Sequence, residues 1–239
     1  MKDNVAAMWV YLSASPLLHL TITVTLFVLA RLLYRKMGHR AWLNPVLLTV
    51  LVIVALLTWT DTTYDVYFEG AQFVHFLLGP ATVALAVPLY RQIALVKRYP
   101  AALLASILTG SVMAIVSAVL IAKLGDVSAQ TLISIAPKSI TTPVAMGISE
   151  RLGGLPSLTA VLVILTGILG AAMGPWLLNK LRIDNSVAQG LAMGVASHGI
   201  GTGRAVYMSD VAAAFSGLAM GLNALITAVL VPVLWHWFM

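Results

Sequence analysis

The chain has 239 residues, 60% of them hydrophobic and only 9% charged, against roughly 25% charged in an average soluble domain. With a mean hydropathy of +0.97, too few polar residues exist to cover a soluble surface, and the composition points to an all-α, polytopic membrane protein. The lack of cysteine excludes disulfide frameworks, thiolate metal sites and cysteine nucleophiles, and the net charge of +6 sits in clusters between apolar blocks, which reads as membrane topology rather than nucleic-acid binding.

A spanning helix needs about 20 mostly apolar residues. In chain order such blocks fall at 12–34, 43–60, 70–90, 101–123, 128–148, 156–180, 186–206 and 210–238. They predict about eight crossings within a single integral membrane domain over 1–239. The fifth and seventh blocks are polar enough to be re-entrant instead. The first block is expected to span rather than to act as a signal peptide, because Arg31, Arg35, Lys36 and Arg40 follow the apolar stretch. His19 within it is assigned to structure. Asp61, Asp65 and Glu69 are expected in a short, solvated external loop.

The positive-inside rule places the basic stretches 35–42 and 91–100 in the cytoplasm and, if every block crosses, both termini outside. Arg151 and Arg204 then fall on the cytoplasmic side, with Lys123, Lys180 and Arg182 opposite. The expected location is the inner (plasma) membrane.

The chain also repeats itself. Shifted by 57, Ile107-Leu-Thr-Gly110 falls on Ile164-Leu-Thr-Gly167, and Lys123-Leu124 on Lys180-Leu181. With a slip of three, Ala136–Thr142 faces Ala196–Thr202. Internal repeats are therefore expected around 70–124 and 128–206. Three segments, 79–88, 136–145 and 196–205, share one character: an apolar helix interrupted by Pro or Gly and rich in small hydroxyl residues. In lipid every backbone N–H and C=O must be paired, so such breaks face protein or a water-filled cavity. A half-helix N-terminus there offers unpaired N–H groups and positive partial charge to an anion. Paired interrupted segments in a repeated chain are the sequence mark of a transporter's binding site.

Lys138 is the sharpest residue in these segments. An intramembrane lysine costs on the order of 3 kcal/mol on insertion scales, so it needs a partner or a role; the bland alternative is that it snorkels to the interface. His198 occupies the matching place in the later segment and offers a titratable group for proton coupling, against the reading of a neutral structural imidazole. Arg204 reads as topology anchoring. His75, before Gly79-Pro80, is expected to be structural, although it lies where the same cavity would be. The Gly199-x-Gly201-x-Gly203 run follows no strand, so it is read as unwound backbone rather than a nucleotide loop. Small-xxx-small pairs at Gly170/Gly174, Gly190/Gly194 and Gly217/Gly221 predict close helix packing. No enzyme motif and no intramembrane carboxylate pair is present, so the chain is expected not to be an enzyme. No catalytic residue, cofactor or metal ligand is assigned. The substrate-binding residues expected from these segments are Lys138, Ser139, Thr141, Thr142, His198 and Thr202, around a small organic anion.

The segments Leu77–Tyr90, Ala136–Ala145 (with its P-K-S-x-T-T-P stretch) and Ala196–Thr202 carry a further signal: over most of its length the chain resembles the LrgB/CidB/YohK family. The resemblance implies an integral membrane protein working with a small LrgA/CidA-like subunit. It was long read as antiholin-like, modulating murein hydrolase export and cell lysis. Transport of small carboxylates such as pyruvate is the newer implication, as for the similar plastid glycolate/glycerate translocator. The matching positions are Pro137, Lys138, Ser139, Thr141, Thr142, Pro143, Ser197 and His198, and the resemblance thereby adds Pro137 and Ser197 to the expected substrate-binding set. Homo-oligomer formation is left open, and no nucleic-acid partner is expected.

Overall fold

The computed structural model describes residues 15–38, 43–77, 80, 83–84 and 86–238, without the side chains of 75, 237 and 238. These residues form helices and turns with no strand, and the chain divides into two compact units, Met1–Ala84 and Leu85–Met239.

The first unit holds α1 (Pro16–Lys36), α2 (Pro45–Trp59) and α3 (Tyr64–Phe76). Asn44 starts α2, its Oδ1 accepting from the N–H groups of Val46 and Leu47 at 2.9 and 3.3 Å, which satisfies donors that a helix start leaves open. α3 lies close on α1 because residue 70 is glycine: a Cβ there would strike the Pro16 carbonyl and come within 2.9 Å of His19 Cβ. His19 is buried and meets the Tyr67 ring edge-on at 5.7 Å. The acidic segment differs from expectation. Asp65 and Glu69 are exposed but lie on α3 rather than in a loop, with Asp65 in the first turn, where the helix dipole favours a carboxylate.

The second unit runs through α4 (Ala86–Arg91), α5 (Ile93–Arg98), α6 (Pro100–Leu124), α7 (Ala129–Ile135), α8 (Thr142–Arg151), α9 (Pro156–Lys180), α10 (Ser186–Ala205) and α11 (Asp210–Phe238). At 25 residues each, α6 and α9 are about 37 Å long, enough to cross a hydrocarbon core of about 30 Å. Among the described residues four helices have crossing length and hydropathy: α1, α6, α9 and Asp210–His236 of α11. Leu104, Leu120, Ile121 and Leu169 stand exposed on them, as lipid contact requires. The block expected at 70–90 is only partly described.

Blocks five and seven double back instead of crossing. In the first, Gly154 after α8 lies against Ser149 on one side and against Ile133 and Ser134 on the other. The Leu155 N–H also donates to Ser134 Oγ at 2.8 Å. The chain thus leaves Ser134, turns through 136–141 and returns to the same level by Ser149, a helix–turn–helix hairpin. In the second, a Cβ on Gly201 would lie 2.5 Å from both the Met193 carbonyl and Ser197 Cβ. Eight residues of straight helix would separate 193 from 201 by about 12 Å, so α10 folds back on itself at His198.

The two hairpins enter from opposite ends of α6 and α11. α7 and α8 pack with Ile115, Val119, Val231 and Trp235, in the C-terminal halves of those helices. Val187 and Leu191 of α10 pack with Leu103, Ala214 and Phe215, in the N-terminal halves. The repeat in three dimensions is therefore a long helix followed by a hairpin, 100–155 and then 156–209, the second inverted relative to the first. This moves the charges. Arg91, Lys97, Arg98, Lys180, Arg182 and Arg204 come to one end of this unit, and Lys123 and Arg151 to the other. Six against two is a sharper positive-inside asymmetry than eight full crossings produce, and it corrects the sides expected for Arg151, Lys180 and Arg182.

Candidate functional site

Each hairpin tip is built by its own local sequence. In the first, Pro137 interrupts α7, and two turn bonds, Lys138 N–H to the Ile135 carbonyl at 3.1 Å and Ile140 N–H to Pro137 at 3.3 Å, carry the chain round. Thr141 is extended and opens α8 with Pro143 in its first turn, where a missing N–H costs nothing. No side chain caps this helix start, so its dipole and first donors are open to an anion.

Lys138, half-buried beside this start, donates from Nζ to Ser139 Oγ at 3.3 Å. Among the described residues no carboxylate pairs with it. Pro137 and Ser139 are buried; Thr141, just before α8, and Thr142, its first residue, are half-buried.

At the second tip the reversal is made by His198 itself, with φ 41° and ψ −134°. The glycines 199, 201 and 203 were expected to carry the unwound backbone, yet the left-handed conformation falls on the histidine. Its ring is buried and donates Nε2–H to the Val163 carbonyl at 3.0 Å. A carbonyl only accepts, so a neutral ring holds its proton on Nε2 and keeps Nδ1 as acceptor. The imidazole fits because residue 167 is glycine: a Cβ there would lie 2.7 Å from Cε1. Ser197 is likewise seated on Gly170, whose Cβ would occupy the place of its hydroxyl. The expected close packing thus appears at Gly170/Gly174, against Ser197 and Met193, and at Gly190/Gly194, against Ala212 and Ser216. Gly221 faces open space.

Thr202, counted among the expected ligands, has its hydroxyl engaged. It donates to the His198 carbonyl at 2.9 Å and lies 2.9 Å from Ser216 Oγ, which makes it a fastening of the returning limb to α11.

The tips meet halfway along the long helices. Asn223, near the middle of α11, donates to the carbonyl of Ser139 on one tip and of Val195 on the other, at 3.1 and 2.9 Å. Behind it stand Ser111 of α6 and Thr227 of α11. The sequence reading missed Asn223, Ser111, Ser216 and Thr227; the available signal was a polar residue buried in an apolar span. Residues 79, 81, 82 and 85 of the third interrupted segment, 79–88, and the side chain of His75 lie outside the described residues.

Lys138, with no carboxylate partner among the described residues, an uncapped helix start and a buried imidazole thus stand on two tips that meet halfway along α11. Comparison with known proteins adds a lineage. The sequence profile of the LrgB-like family matches residues 23–237. An uncharacterized Bacillus subtilis protein, YwbG, is 38% identical over 90% of this chain and 95% of its own length. The holin-like protein CidB of Staphylococcus aureus strain N315 is 35% identical over 91% of this chain and 95% of its own. CidB of Staphylococcus epidermidis strain ATCC 12228 is 33% identical over 94% and 96%. No solved structure gives a significant match.

Proposed function

This chain belongs to the LrgB-like family of membrane proteins, and from that premise we propose that it is a secondary carrier for a small organic anion of the pyruvate or glycolate kind, not an enzyme. One observation carries the reading: Lys138 stands at bilayer depth beside an uncapped helix start with no acidic partner among the described residues. An ammonium there costs several kcal/mol unless something negative meets it, and a carboxylate substrate would supply that charge. Ser139, Thr141 and Thr142 add hydroxyl donors, Pro137 shapes the turn, and Ser197 seats the opposite tip. His198, with Nδ1 as acceptor, offers a place to take up and release a proton, so proton-coupled transport is the version the geometry favours. Thr202 supports the site rather than touching the anion.

The protein works in the inner membrane with a small LrgA/CidA-like subunit, as the family resemblance implies. Proteoliposomes holding the chain with and without that subunit test the proposal. Saturable uptake that discriminates among two- to four-carbon acids is expected. The alternative is a holin-like or antiholin-like pore or regulator, favoured by the names of the staphylococcal relatives. Unsaturable leakage of unrelated solutes would establish it and remove the carrier.

A further inference from the structure

Breaking a helix inside a bilayer leaves carbonyls that water does not reach, and each must find another donor. Two lie at the hairpin tips. In an unbroken helix the Val195 carbonyl would face the N–H of Gly199, but ψ of −134° at His198 turns the next peptide by about 90° from its helical setting. The Ser139 carbonyl has Pro143 four residues on, which carries no N–H. One side chain serves both: Asn223 Nδ2 lies 3.1 Å from the Ser139 carbonyl and 2.9 Å from that of Val195. The amide stands only one way round, because both carbonyls are acceptors. Its Oδ1 then accepts from Ser111 at 2.6 Å and from Thr227 at 3.2 Å, so both donors and both lone pairs are used. The residue is 1% exposed.

Resting on the carrier reading, we infer that Asn223 is a positioning residue of the anion site, a clamp that fixes the gap between the tip bearing Lys138 and the tip bearing His198. It touches no substrate. Ser139 directly follows Lys138, and Val195 lies one turn before His198, so holding those two carbonyls holds the two functional side chains. Ser111 and Thr227, on different helices, keep the amide from rotating. An anion gripped from both tips feels any loosening of that gap as lost affinity, while the charge on Lys138 is untouched.

The natural absence of cysteine makes the test direct. Spin labels on Val144→Cys and Ala196→Cys, exposed positions beside the two tips, report the gap by double electron–electron resonance in nanodiscs. Uptake of radiolabelled pyruvate into proteoliposomes reports the site. Asn223→Asp keeps the shape but, ionised, has no hydrogen to donate; Ser111→Ala only frees the amide to move and serves if the first variant fails to fold. The parent is expected to give one narrow distance. Asn223→Asp is expected to broaden it and raise the apparent KM at least fivefold with Vmax within twofold, and Ser111→Ala to do the same more mildly. Saturable uptake by the parent, with distance and KM unchanged in the folded variants, overturns the clamp and leaves the carrier standing. Broadening in a protein that moves no pyruvate upholds the clamp and overturns the carrier.

Discussion

His198 occupies a conformation close to one reserved for glycine, although glycines stand at 199, 201 and 203. A non-glycine residue there costs on the order of 1–3 kcal/mol, and such outliers gather at functional sites. The His198→Gly variant separates the two roles of the residue. Relieved backbone strain offsets part of the cost of the vacated ring and its lost bond to Val163, so the variant is expected to remain folded, by thermal unfolding in detergent. Its transport should nonetheless fall at least tenfold for want of the imidazole; undiminished uptake would make His198 structural only. Lys138 has a complementary test. A contact to a charged group contributes roughly 1.5–3 kcal/mol, so Lys138→Ala should weaken apparent anion affinity about 10- to 100-fold, with Lys138→Arg recovering part of it. Uptake by the alanine variant at parental KM would take Lys138 out of the site.

The prolines and glycines of the interrupted segments were legible because a helix break is a local event. Pro137 and Pro143 remove donors within four residues of themselves, and the match of Lys138 with His198 across the repeat was visible as a sequence offset. Asn223 was not legible: the carbonyls it serves lie 84 and 28 residues away, and nothing in its own helix marks it as their donor. Packing glycines behave in the same divided way. Gly170→Ala places a methyl on the Ser197 hydroxyl, whereas Gly203→Ala meets nothing within 4 Å. Overpacking costs about 1–3 kcal/mol, and removing an unneeded helical glycine contributes about 0.5–1 kcal/mol. The first variant should therefore lower the melting temperature and the second should hold or raise it. Equal effects in both would deny that α9 and α10 are held at van der Waals distance around the second tip.

For the second unit taken whole, the opposed hairpins make a prediction about sidedness. Single cysteines at Lys97, Arg151 and Lys180, probed with an impermeant maleimide in oriented vesicles, should place Lys97 and Lys180 on one face and Arg151 on the other. Eight full crossings would put Arg151 with Lys97 instead, so that pattern would dissolve the inverted pair. The sequence by itself determined that the protein lives in a bilayer and that its helices break at 136–145 and 196–205, since hydropathy and missing backbone donors act over one or two turns. Only the tertiary structure decided that the broken segments return rather than cross. That choice rests on contacts such as Leu155 to Ser134 and Gly201 to Met193, where pairing the freed backbone and packing small residues become possible only once distant parts of the chain have met.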